Sequence, residues 1–157
     1  MKAVRTAKNG CATKNSPGKR FKLLDSALDN ATTGPLWLKD PRIASNIIDT
    51  LRKGERELAL FALHAFVVMP NHVHILITPA VRLARITNGI KGATSHHGKS
   101  ILSLHYKHFW QDESFDHWVR SSKQFDRIAL YIENNPVSAG LVNKPQDWPW
   151  SSCSTPK

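Results

Sequence analysis

Apolar residues first fall into a helical rhythm after Asp40. Ala44, Ile47, Ile48 and Leu51 recur at three- and four-residue spacing, which puts them on one face of a helix. Asp40 suits its N-cap, Pro41 its first turn and Gly54 its stop. The rhythm then changes. "LALFALHAFVV" (58–68) and "HVHILIT" (72–78) are β-rich runs separated by "MPN". They predict a hairpin with Pro70 and Asn71 in the turn, and Pro79 closes the second strand. Residues 82–97 return to a helical pattern, diluted by Gly89 and Gly92. A further strand is expected towards the end of "HFWQDESFDHWVR" (108–120). Ser121 or Ser122 then caps a last helix, expected to run to about Asn134 and stop at Asn135-Pro136. Upstream, residues 1–35 carry breakers and little periodicity; "FKLLDSALDN" (21–30) reads as a short helix. This order predicts one α+β domain, an antiparallel sheet with helices on one side.

Charge adds a partner to this picture. The chain has 157 residues, long enough for a single cored domain, and 22 Lys+Arg against 12 Asp+Glu give a net charge of +10. Residues 1–22 hold seven of the cations and no acid, which leaves +3 for the rest. Residues 1–35 are therefore read as a basic leader and 36–157 as the domain. A chain this basic attracts polyanions, either nucleic acid or an anionic membrane surface. No stretch approaches a membrane span, and residues 1–22 lack the apolar core of a signal peptide, so a cytoplasmic protein without a membrane partner is expected. Cys11 and Cys153 show no metal-type spacing.

The chemistry is carried by two short stretches. In "VVMPNHVHIL" (67–76), His72 and His74 stand two apart, so on a strand they share a face while Val73, Ile75 and Ile77 fill the other. Two imidazoles side by side can share one ion; the competing reading is two histidines, each satisfied by a backbone carbonyl. Two ligands do not complete a site. In "YIENNPVSAG" (131–140), Phe125, Ile128 and Ile132 lie on one helical face, Tyr131 sits at its edge, and Asn135 follows Tyr131 by one turn. A boundary tyrosine and an asparagine C-cap explain the same pattern without chemistry.

Taken together, "MPNHVHILI", "FWQDESFDHWVR", "YIENNPVSAGLV" and "DWPWSS" resemble the single-tyrosine transposases of the insertion-sequence-200 type, and most nearly the REP-associated branch within the HUH endonuclease group. The resemblance covers residues 36–152. It implies a ferredoxin-like core with the histidine pair on a central strand and a catalytic tyrosine on a following helix. Residue by residue, His72 and His74 match the pair, Tyr131 matches the nucleophile, and Asn135 stands where the family supplies a third polar ligand. The implied metal is Mg²⁺ or Mn²⁺. The implied substrate is single-stranded DNA beside a hairpin, which in this branch is a repeated extragenic palindrome. Members of the family open with a central strand of the "FVTF" kind. Nothing in residues 1–30 reads that way, "VRTA" and "RFKLL" being poor substitutes, so the first strand is expected to be missing or diverged.

The activity so implied is metal-dependent cleavage and strand transfer through a 5′-phosphotyrosine. Its counterpart is a decayed copy that binds hairpin DNA and no longer cleaves. A hydrolase of small phosphate esters would keep the histidines but give Tyr131 no role, and the basic charge argues against it. Two imidazoles suit Mn²⁺ better than Mg²⁺. For DNA binding, Lys91, Arg120, Lys123 and Arg127 are candidate phosphate contacts, while Trp148 and Trp150 either stack on unpaired bases or pack the C-terminus down. Trp110 and Trp118 are expected in the core, and His96, His97, His105 and His108 on a polar surface. Within the family the tyrosine helix serves either its own sheet or a partner's; residues 121–140 are compatible with a monomer or a homodimer.

Overall fold

The computed structural model describes residues 2–6, 35–103, 108–111 and 114–154. Four strands, β1 (Lys2–Thr6), β2 (Phe61–Val68), β3 (Val73–Pro79) and β4 (Phe115–Val119), form one sheet in the order β2-β3-β1-β4. Around it lie α1 (Pro41–Arg56), α2 (Leu83–Leu102) and α3 (Ser122–Ser138). The α+β architecture is the expected one. The first strand is present: Lys2–Thr6 occupies the centre of the sheet, overlapping the "VRTA" that hydropathy passed over. The sheet is mixed rather than wholly antiparallel. β2 and β3 form the antiparallel hairpin, whereas β1 runs parallel to both β3 and β4. The short helix read at 21–30 lies outside the described residues.

Helices cover both faces of the sheet, not one. Every residue from Val73 to Ile77 is buried, so the two faces of β3 both need cover. Val73, Ile75 and Ile77 join Phe66 and Val68 under α1 and α2, where Ile43, Ile47, Leu51, Ile86 and Ile90 complete the main core. On the opposite face Leu76, Ala65 and Val67 pack against Ile132 of α3 and Trp148. At about 25 cal/mol per Å² of apolar surface, both layers contribute to holding β3 in place.

The helix ends explain where local signals mislead. α1 begins as expected, with the Asp40 carboxylate accepting from the Arg42 guanidinium (2.6 Å) and amide (2.9 Å), which lowers its pKa to about 2. Gly54 does not stop it. The helix runs on to Arg56, and Gly54 is buried under the Phe61 ring, which a Cβ there would approach to 2.9 Å. α2 continues past residue 97 to Leu102, and Gly98 lets Phe109 approach to where a Cβ would be 2.5 Å from the ring. α3 passes through Asn135-Pro136 to Ser138. Pro136 forfeits one backbone bond near the helix end, and Ala139 and Leu141 still donate to Asn135 O (3.0 Å) and Pro136 O (2.9 Å).

Residues 148–152 return to the free edge of β2. The Val68 amide donates to Trp150 O (2.8 Å) and the Ser152 amide to Phe66 O (2.9 Å), so the C-terminal segment pairs with an edge that would otherwise be open. Trp110 is half-buried and donates its indole N–H to Thr94 Oγ1 (2.9 Å), but Trp118 is 44% exposed on β4 rather than in the core.

Candidate active site

His74 lies in the sheet interior, paired across to Val67 of β2 and Lys2 of β1, and is fully buried. His72 immediately precedes β3 and is 4% exposed. Its carbonyl accepts from the Met69 amide (2.8 Å), which closes the Pro70-Asn71 turn, and the Leu38 amide holds Pro70 O from outside (3.2 Å). The turn therefore fixes one histidine and the strand fixes the other. Their Nε2 atoms are 2.9 Å apart, with the rings steeply inclined at 83°.

Asn71 completes this pair in a way the sequence reading missed. It was read only as a turn residue, yet its Oδ1 lies 2.7 Å from His72 Nδ1. The amide oxygen accepts the Nδ1 proton, which leaves the Nε2 of a neutral His72 as a lone pair directed at His74. The signal that could have found it was adjacency to the histidine, since a residue at the hairpin turn is within reach of its neighbour's ring.

α3 brings the second stretch to the same face. Ser121 caps it, its hydroxyl accepting from the Gln124 amide (3.2 Å). Ile132 buries the helix against Leu76, and Tyr131 then meets His74 edge to face, ring centroids 6.1 Å apart. Asn135 follows one turn later and is fully buried, with neither its Oδ1 nor its Nδ2 hydrogen-bonded. A buried amide without partners costs about 1–3 kcal/mol.

These residues fit a divalent ion. The two imidazole Nε2 atoms lie 2.9 Å apart, a hydrogen-bond distance at which one ring carries the shared proton; once that proton is lost, both nitrogens can face one ion. The unsatisfied Asn135 Oδ1 is a hard oxygen donor of the type such ions take. Among the described residues there is no group of three or more His, Cys, Asp or Glu that could hold a metal, and Asn135 is a buried oxygen donor one turn from Tyr131.

A family model for IS200-like transposases matches residues 39–135. The chain belongs to the IS200-like transposase family. Within that family it is 30% identical over 95 residues to the REP-associated tyrosine transposase of Escherichia coli K12, covering 59% of this chain and 54% of that one. A Haemophilus influenzae relative provisionally given the same name is 27% identical over 99 residues, 56% of each chain. The chain thus spans about half the length of the curated relatives it matches. Among solved structures it is similar to a REP-associated tyrosine transposase bound to a REP hairpin, with a TM-score of 0.57 and 27% identity over 78% of this chain and 70% of that one.

The remaining candidates of this transposase-family chain divide by location. Arg120 and Lys123 are exposed at the start of α3, and Arg127 is exposed one turn before Tyr131. Lys91 is not with them. It belongs to α2, across the sheet from the histidine face, and its Nζ donates to Gln111 O (2.7 Å), where it secures the following segment. Trp148 is not open to stacking either, because its ring is buried and its indole N–H donates to Val68 O (3.0 Å). Trp150 is half-buried and packs edge to face on Trp148, centroids 5.0 Å apart, so this pair packs the C-terminal segment down. His96, His97 and His108 are exposed, as expected, and His105 lies outside the described residues. No helix among the described residues is long and apolar enough to cross a membrane.

Proposed function

We propose that this chain cleaves and rejoins single-stranded DNA beside a hairpin, with Tyr131 as nucleophile and His72, His74 and Asn135 as ligands of a Mg²⁺ or Mn²⁺ ion. The observation that carries this reading is the meeting of Tyr131 and His74 on one buried face, with the unpartnered Asn135 one turn further along the same helix. The metal, when bound, would polarise the scissile phosphate and offset the charge that builds on its oxygens.

Tyr131 is half-buried at the edge of this face, and its phenol, with a free pKa near ~10, needs a nearby charge to react. Its Oη would form a bond to phosphorus as the bond from phosphorus to the 3′-oxygen breaks. The phenolic proton leaves, and the departing 3′-oxygen takes one up. The product is a 5′-phosphotyrosine and a free 3′-hydroxyl, and a second 3′-hydroxyl reverses the exchange without ATP. Asn71 keeps His72 in the tautomer that ligation needs. Arg120, Lys123 and Arg127 would take phosphates of the incoming strand, with Arg127 nearest the break.

The reading of a copy that binds without cleaving rested on a missing first strand, and β1 fills that place. The similarity to a transposase bound to a REP hairpin supports a hairpin partner. The test is a denaturing gel of the protein with a labelled hairpin carrying single-stranded flanks, in Mn²⁺ or EDTA, beside Tyr131→Phe. A covalent adduct that needs both metal and Tyr131 is expected. Tight hairpin binding with no adduct under any condition would refute the cleavage reading.

A further inference from the structure

A groove of about 470 Å³ runs along the outer side of α3, between the helix and the C-terminal segment. Arg127, Leu130, Tyr131 and Asn134 form one stripe of the helix at three- and four-residue spacing, and Pro145 and Gln146 form the opposite wall. Its size falls within the range of small-molecule sites, roughly 300–1,000 Å³. Tyr131 lines this groove as well as meeting His74, so whatever enters it lies beside the candidate nucleophile.

The walls have the chemistry of a nucleotide seat, graded along its length. Leu130 is 66% exposed, an apolar side chain the core does not use, and Pro145 lines the same groove. Two apolar surfaces of this kind suit the faces of a base. Arg127 stands at one end and Glu133 six residues on, about 9 Å along the helix axis. The cationic end suits a phosphate. At the other, Ser152 Oγ donates to Glu133 Oε1 (3.1 Å), which anchors the carboxylate against the C-terminal segment and leaves its second oxygen as an acceptor. Cys153 on the same wall reports that charge: burial raises its thiol pKa first, and Glu133 raises it further. Asn134 donates its amide nitrogen to Ser138 Oγ (3.3 Å), so its oxygen remains as another acceptor.

An acceptor-rich end repels phosphate and selects donors. Adenine, cytosine and guanine each carry an exocyclic amine at the rim of the ring, whereas the single edge donor of thymine, N3–H, lies between two carbonyl oxygens that a carboxylate repels. We propose that this groove seats one unpaired nucleotide flanking the scissile phosphate, its exocyclic amine donating to Glu133, so that thymine is disfavoured at that position. This rests on the reading of single-stranded DNA as substrate and adds to it the residue that selects the base.

The experiment is equilibrium binding by fluorescence anisotropy, in EDTA so that no cleavage intervenes. Hairpin oligonucleotides carry each of the four bases in turn at each unpaired flanking position, against the wild-type chain and Glu133→Gln. At one position thymine should weaken wild-type binding by roughly 5- to 100-fold, and Glu133→Gln should bring thymine level with the other bases. Equal affinity for all four bases at every position would overturn the groove assignment alone. A preference against thymine that persists in Glu133→Gln would overturn the role of Glu133. Base discrimination without any adduct in Mn²⁺ would uphold the groove and sink the cleavage chemistry. Failure to bind any hairpin would overturn both.

Discussion

The imidazole of His74 and the phenol ring of Tyr131 stand edge to face, 6.1 Å between centroids, on a strand and a helix of the same chain. α3 reaches this position by packing Ile132 onto Leu76 and Ala65 of its own sheet. In this arrangement the proposed nucleophile would serve the ligands of its own chain. Mixing His74→Ala with Tyr131→Phe should give no covalent adduct, because neither chain carries a complete site. Restoration of the adduct to about a quarter of the wild-type yield, one working site in each mixed dimer and mixed dimers being half of the total, would show that helices are exchanged between chains.

Asn135 makes an opposite prediction for stability and for metal. Its buried amide has no partner, so the nearly isosteric Asn135→Leu should stabilise the metal-free protein by about 1 kcal/mol. That corresponds to a rise in Tm of roughly 2–4 °C for a chain of this size. The same substitution should shrink the rise in Tm that Mn²⁺ produces in the wild type. Thermal melts with and without Mn²⁺ read both effects, and an undiminished response to Mn²⁺ would remove Asn135 from the ligand set.

His117 predicts loss of stability in mild acid. Gln124 Oε1 accepts from the Arg120 amide (2.9 Å), which turns its amide nitrogen towards His117 Nε2 (2.8 Å), so His117 accepts a hydrogen bond only when neutral. Burial pushes its pKa below the ordinary 6.5, and the charge of Arg120 adds to the effect. The unfolded chain then binds the proton more readily than the folded one. The stabilisation is full above pH 6.5 and is lost as pH falls through the lowered value. Tm measured at pH 7.5 and 5.5 should fall further for the wild type than for His117→Gln, and equal falls would assign the acid sensitivity elsewhere.

Two glycines of α2 should respond with opposite signs to alanine. At Gly98 a Cβ would meet the Phe109 ring at 2.5–3.0 Å, and overpacking of this kind costs about 1–3 kcal/mol. Gly92 is exposed with nothing within 4 Å, so alanine there should add up to about 1 kcal/mol from helix propensity. Urea denaturation of the two variants separates them. A harmless Gly98→Ala would mean that the segment holding Phe109 is not tightly docked on α2.

Much of the candidate site is local and was legible in the sequence. The two-residue spacing of His72 and His74 suggests a shared face, although the turn rather than β3 holds His72, and helical spacing alone sets Asn135 one turn beyond Tyr131. The hairpin and the starts of α1 and α3 were readable for the same reason, since turn and cap chemistry act within a few residues.

Tertiary structure decided the rest. β1 has no hydrophobic signature, and it became a central strand because backbone hydrogen bonds to β3 and β4 do not depend on side chains. Gly54 reads as a helix stop, yet the Phe61 ring packs against it inside the helix, and Phe109 packs in the same way on Gly98. Whether α3 would cover its own sheet, whether Trp148 would face solvent or Val68, and which surface would form a groove beside Tyr131 all turn on which apolar faces meet. Periodicity says that a face is apolar and leaves its partner open, because hydrophobic burial is not directional; shape and the competing claims of every other face choose that partner.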